Sequence, residues 1–336
     1  MRLAILDDYL DHYRQHCDWS DIDGLDVLSF RDRANSFQEL VGRLRGCDAV
    51  MRIRERSVFD RRLIEALPDL RLILATGMRN TRSLDLAATD ERGITVCTTD
   101  ALHQSTVEVV WWLILSLMRK LHAEHSVLRQ GGWQTNLGEG LQGKTLGVVG
   151  FGAMGQPVAA IGRILGMTVL AWSPNLTPER TEGAGVACVG KQALFERSDV
   201  ISLHMPMSDR SRGIVDAQAI AWMKPNAHLI NTSRAGLVDN DALRVALLSG
   251  RIGGAGLDVF GIEPLPRDDP FRHLPNVIAT PHVGFVTREN MDRFFNDSRE
   301  NLLAYLAGTP IRRITRDQPF LAESQVGKVY RPDLYA

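Results

Sequence analysis

Three polar residues stand just beyond apolar, strand-like runs in the second half of the chain: Arg234 in NTSRAGLVD, Glu263 in GIEPLP and His282 in TPHVG. Each alone has a plain structural reading, as an arginine in a surface ion pair, an acid in a proline-rich turn, or a histidine ahead of a turn glycine. Together they form a chemically sensible set. A guanidinium forks onto a carboxylate, an imidazole exchanges a proton near neutral pH, and an acid beside it holds the ring and favours its protonated form. Strand ends in open α/β sheets line the crevice where ligands bind, so the placement suits such a set.

A second pattern lies upstream in KTLGVVGFGAMGQPVAA, residues 144–160, where Gly150, Gly152 and Gly155 match G-x-G-x-x-G. The glycines of that pattern allow a tight turn, close approach of backbone to a pyrophosphate, and close packing of helix on strand. An ordinary strand-to-helix turn is the alternative. Context favours dinucleotide binding: a strand run precedes the turn, a run with helical apolar spacing follows, and TVLAW completes a βαβ unit. The helix start then offers backbone N–H groups to phosphate. The acid expected about 20 residues on, which holds the ribose hydroxyls of NAD, is replaced by Trp172-Ser173-Pro174-Asn175. No Arg or Lys follows at once, Arg180 being the nearest, so NAD and NADP both stay open.

The elements that must position these residues are short continuous apolar runs separated by helix-length segments. This is the pattern of parallel strands buried on both faces, so the class is α/β, doubly wound. Five such runs precede the glycine cluster (LAILDD, LDVLSF, AVMRI, LRLILAT, ITVCTT) and six begin with it, which predicts two units. The seam falls near residues 99–104, where Ser105–Glu108 has the S/T-x-x-E form of a capping box opening a helix apolar nearly all round. A late helical segment, TRENMDRFFNDSRENLLAYLAG, has no sheet of its own after it and is expected to cross back to the first unit. The expected organisation is a substrate domain of residues 1–100 and 286–336 around a cofactor domain of residues 101–285.

At 336 residues the chain exceeds the size at which single cores usually stop growing, in keeping with two domains. A formal net charge of −1 gives no footprint for nucleic acid or an anionic membrane surface. Four cysteines, Cys17, Cys47, Cys97 and Cys188, lack C-x-x-C spacing, which argues against zinc or a disulfide framework; no metal is expected. The N-terminal stretch carries acids and no signal-peptide core, and VEVVWWLILSLM is too short to span a bilayer, so a cytoplasmic location is expected.

In these motifs and their order the chain resembles the D-isomer-specific 2-hydroxyacid dehydrogenases, a family that includes glyoxylate and hydroxypyruvate reductases, phosphoglycerate dehydrogenases and D-lactate dehydrogenases. LDLAATDERGITV, GVVGFGAMG, HMPMSDRSRGIVD, NTSRAGLVD, GLDVFGIEPLP and TPHVG carry the likeness over nearly the whole chain. The resemblance implies a Rossmann cofactor domain inserted in a flavodoxin-like substrate domain, closing on a hinge. It implies NAD(P)-dependent hydride transfer at C2 of a small 2-oxoacid or 2-hydroxy acid, with Arg234, Glu263 and His282 as the catalytic set. It puts Gly150, Gly152, Ala153, Met154, Gly155, Ser173, His204, Pro206, Thr232, Asp258 and Gly284 at or beside the cofactor. Arg54, Gly77 and Met78 fall at substrate positions, the last two through backbone amides; a solvated edge arginine is the other reading of Arg54.

The resemblance also implies a homodimer; the pair Trp111 and Trp112 in an apolar helix fits a dimer face and fits burial between the two domains equally well. Ser173 in place of the usual acid and GMRN in place of a glycine-rich substrate loop are departures from the family pattern that leave cofactor preference and substrate open. A dinucleotide-sensing protein of the corepressor kind and an oxidoreductase of the formate dehydrogenase kind are the competing readings.

Overall fold

The computed structural model describes residues 1–77 and 83–321, which divide into two compact units. The first contains Met1–Leu102 and the described chain from Thr287 onward; the second is His103–Val286.

In the first unit, β1 (Arg2–Leu6), β2 (Asp26–Ser29), β3 (Ala49–Arg52), β4 (Leu72–Ala75) and β5 (Thr95–Thr98) pair in parallel in the order 5-4-3-1-2. β3 and β4 are buried along their whole length, which explains their unbroken apolar sequences. Three of the helices between them begin at side-chain caps, as where Asp60 accepts from the Leu63 N–H and Asp85 from the Ala88 N–H. A strand not anticipated from the sequence, β13 (Arg313–Ile314), runs antiparallel on the edge of β5. Two residues are too few to show a periodicity.

The long Arg288–Leu306 helix starts at Thr287, whose hydroxyl accepts from Asn290 N–H, and is tied to the β5 end of the sheet. Asp297 accepts from the Asp100 N–H, Asn290 from the Leu102 N–H, and Asn301 donates to the Thr98 carbonyl. These polar side chains are buried, so each needs the partner it has.

The second unit holds a seven-stranded sheet of β6 (Thr145–Val149), β7 (Thr168–Trp172), β8 (Ala187–Cys188), β9 (Val200–Leu203), β10 (His228–Asn231), β11 (Gly254–Leu257) and β12 (Val277–Ala279), in the order 12-11-10-9-6-7-8 and parallel throughout. The order reverses beside β6, between β9 and β7, which makes the β6 end the switch point of this sheet. β8, again two residues long, was not anticipated.

The apolar helix runs from Gln104 to Arg119 and packs within its own unit on β10, β11 and β12. Its start differs from the expected capping box: His103 is the cap residue and Ser105 already lies inside the first turn. The tryptophans part company, Trp111 sitting in the core beside Val158 and Leu146 while Trp112 is 47% exposed. Adjacent helical residues point about 100° apart, so one face cannot take both. No helix among the described residues is long and apolar enough to cross a membrane.

Candidate active site

The glycine turn follows β6 directly. Gly150 has φ +98°, and a Cβ there would stand 2.8 Å from the His204 backbone. A Cβ on Gly155 would come within 2.0 Å of the Gly150 carbonyl oxygen, whereas one on Gly152 would meet nothing within 4 Å. Two of the glycines are therefore demanded by the chain's own packing, and the third leaves open space where a ligand's phosphates need it. The helix Gly155–Ile164 begins after Met154, with no side-chain cap, so an anion can serve its first turn.

His204, at the end of β9, is buried and its Nε2 has no partner among the described residues. Burial pushes it down to about 3, so the ring is neutral at any ordinary pH. An orphaned buried ring nitrogen beside a cradle closed to Cβ atoms fits a dinucleotide site. Thr232 is buried after β10, Pro206 stands exposed in the loop after His204, and Ser173 follows β7, its carbonyl accepting from Leu176 N–H.

Arg234 is aimed by a knitted loop. Asn231 donates to the Arg234 carbonyl and accepts from Ser233 N–H, the Ser233 hydroxyl donates to the Leu203 carbonyl, and the Arg234 guanidinium donates to the Ser233 carbonyl. Glu263 lies in the loop beyond β11. Its Oε1 accepts from the Phe260 N–H at 2.8 Å, and its Oε2 lies 2.7 Å from His282 Nδ1. Burial would raise this carboxyl, but the hydrogen bond and charge of His282, the Phe260 N–H and the Arg234 charge outweigh it and hold it below the usual carboxylate range.

An ionised Glu263 can only accept, so Nδ1 carries the proton it receives and Nε2 is left as the working nitrogen. His282 and Glu263 side chains are 22% and 32% exposed, so a small molecule can reach them.

His282 has φ +53°, the left-handed region that a non-glycine residue seldom adopts. Asp258, fully buried at the end of β11, stabilises that loop. Its Oδ1 accepts from the Thr280 hydroxyl at 2.6 Å and the Val283 N–H at 2.8 Å, and its Oδ2 accepts from the Gly284 N–H at 2.9 Å. A Cβ on Gly284 would stand 3.0 Å from that carboxylate. Burial raises Asp258, against those hydrogen bonds and the charge of His282. Nothing in the sequence alone pointed to this clamp, because Asp258 and the loop it holds are separated by a helix-bearing segment and β12.

The substrate-side residues lie in the first unit. Arg54 has φ +56°, its N–H donates to Thr76 Oγ1, and its guanidinium lies across Gly77, where a Cβ would be 2.0 Å from Nη1. The Gly77 N–H donates to Thr99 Oγ1 at 2.9 Å, so the amide expected to meet a substrate carboxylate is engaged within its own unit. Met78 lies outside the described residues.

Residues 111–284 match the family model described as D-isomer specific 2-hydroxyacid dehydrogenase, NAD binding domain. A glyoxylate reductase of Thermococcus litoralis is 36% identical over 80% of this chain and 83% of its own length. A D-3-phosphoglycerate dehydrogenase of Methanocaldococcus jannaschii is 33% identical over 87% of this chain but only 56% of its own length. Among solved structures, a phosphoglycerate oxidoreductase from Vibrio cholerae superposes with a TM-score of 0.87 at 34% identity, covering 92% of this chain and 99% of that one. With its model covering half the chain and relatives matched over most of it, the protein belongs to the D-isomer specific 2-hydroxyacid dehydrogenase family and is an NAD(P)-dependent oxidoreductase.

Proposed function

We propose that the protein reduces a small 2-oxoacid to the D-2-hydroxy acid, with His282 as the acid–base group. A dinucleotide held at the Gly150–Gly155 turn would supply hydride-transfer chemistry at C2. His282 Nε2 donates a proton to the developing alkoxide, while Glu263 holds Nδ1 and keeps the ring oriented. Arg234 forks onto the carboxylate and polarises the carbonyl. The observation that carries this reading is the 2.7 Å contact between His282 Nδ1 and an ionised Glu263, which leaves Nε2 as the proton-transfer atom. The unit 103–286 carries these three groups together with the Gly150–Gly155 turn.

Glyoxylate is the first candidate substrate, because the glyoxylate reductase above matches over most of its length. A panel of glyoxylate, hydroxypyruvate, pyruvate and formate, assayed with NADH and NADPH, tests the reading. Turnover of 2-oxoacids supports it. Turnover of formate alone, or dinucleotide binding without any turnover, overturns it in favour of the competing readings.

The same proposal includes a homodimer. The Leu121–Arg129 helix has no buried residue, and Trp133 and Leu137 after it are 74% and 97% exposed. Thr135 and Asn136 donate to Glu124 of that helix, so the exposed apolar residues belong to one ordered arm. Such surface marks an interaction site. A sedimenting monomer at micromolar concentration counts against it.

A further inference from the structure

The loop after β7 decides which ribose the adenosine end of the dinucleotide can carry. An acid there accepts hydrogen bonds from the ribose hydroxyls and repels a phosphate; this chain has Ser173, a neutral donor, in its stead. Two residues on, Asn175 is approached by two guanidinium groups from different parts of the unit. Arg180 Nη1 reaches its carbonyl oxygen and Arg210 Nη2 its side-chain oxygen, each at 3.5 Å.

These contacts sit at the outer limit of a hydrogen bond, so both groups keep most of their donor capacity for a better acceptor. Their backbones, in contrast, are fixed. Arg180 sits in the single helical turn Pro178–Thr181, closed by its N–H to the Thr177 carbonyl and by the Thr181 hydroxyl to the Pro178 carbonyl. Arg210 rides a turn locked by Ser208 and Ser211, whose hydroxyl also donates to the Pro206 carbonyl. Glu179, the carboxylate next to Arg180, is engaged by the Thr177 hydroxyl.

We propose that this chain prefers the dinucleotide with a 2′-phosphate, NADP(H), and that Ser173, Arg180 and Arg210 are the residues that select it. The inference rests on the dinucleotide reading of the Gly150–Gly155 turn and goes beyond it to the choice between the two cofactors. A guanidinium fork suits a phosphate better than it suits an amide oxygen, since the bond becomes charge-assisted on both sides. The three residues come from the two loops flanking β6 at the switch point, so they converge only in the folded unit.

Titration calorimetry on the whole protein, with NADPH, NADH, 2′,5′-ADP and 5′-AMP, tests this without any turnover. NADPH should bind at least about tenfold more tightly than NADH, the worth of one charge-assisted hydrogen bond, and 2′,5′-ADP should outbind 5′-AMP in the same sense. Arg180→Ala with Arg210→Ala should abolish the difference and leave NADH affinity unchanged, and Ser173→Asp should reverse the order. All three residues lie at or near the surface, so these variants fold. Equal or tighter binding of NADH, or equal weakening of both dinucleotides in the double arginine variant, overturns the proposal. Binding of neither dinucleotide overturns it together with the cofactor reading. Loss of turnover in His282→Ala with the NADPH preference intact concerns only the acid–base chemistry and leaves the preference standing.

Discussion

Replacing Asp258 by Asn keeps the shape of the side chain and removes one acceptor. With the amide oxygen taking the place of Oδ1, the Thr280 hydroxyl and Val283 N–H keep their partner, and the new NH₂ faces the Gly284 N–H across about 2.9 Å. Two buried donors then oppose each other, at about 1–3 kcal/mol for each left unsatisfied. Against this, the buried carboxylate is raised by desolvation, a penalty the neutral amide escapes. The net global loss should therefore be about 1–3 kcal/mol, within the 5–15 kcal/mol that folded domains typically have.

The local effect is larger, because the bond lost is two residues from His282, whose left-handed backbone persists only while the surrounding contacts hold it. A displacement of the imidazole by about 1 Å costs roughly 10²-fold in rate. Urea unfolding, dinucleotide titration and steady-state reduction on one preparation separate the two scales. A large fall in kcat with modest destabilisation and retained dinucleotide affinity is expected. An Asn variant that keeps wild-type kcat while losing the stated stability refutes the clamp, since the loop would then hold His282 without it.

The other predictions concern the same unit. His282→Ala should lower kcat for reduction on the order of 10²- to 10⁴-fold with dinucleotide affinity unchanged in calorimetry; near-normal turnover would make the histidine structural. Reduction spends a proton from His282 Nε2 on the alkoxide and oxidation returns one to it, so initial rates in the two directions should respond oppositely to rising pH. Glu263 is held below its ordinary value, so its contribution to stability is present above about pH 4.5 and is lost as pH falls through its folded value; Glu263→Gln should flatten that acid limb in a pH series of denaturation midpoints. Gly155→Ala puts a Cβ 2.0 Å from a carbonyl oxygen that cannot swing away, and should cost about 1–3 kcal/mol and abolish dinucleotide binding, whereas Gly152→Ala, with nothing within 4 Å, should leave stability unchanged.

The α/β class and the family were legible because buried parallel strands write themselves as unbroken apolar runs, and because a glycine such as Gly155 is dictated by a contact only a few residues away in the chain. Strands of two residues, β8 and β13, carry no such signal. Nor does the start of the Gln104–Arg119 helix, where a capping-box sequence at Ser105 was overruled by a cap at His103, two residues earlier. In the candidate site, residue types pointed to Arg234, Glu263 and His282, but what holds the His282 loop is long-range, Asp258 clamping Val283 and Gly284 from 25 and 26 residues away. The Gly77 amide illustrates the converse, since its partner Thr99 is twenty-two residues on and invisible to any local pattern.

The first unit is assembled from two pieces of chain that the second unit separates, and this sets a clock during synthesis. Asp100 waits for Asp297, 197 residues later, and β5 waits still longer for β13. At 5–20 residues per second the interval is roughly 10–40 s. Throughout it the nascent first unit shows the ribosome exit a bare strand edge, ready to pair with any extended segment nearby. The inserted unit has all of its strands in continuous sequence and can close meanwhile, so the second module to begin is the first to finish.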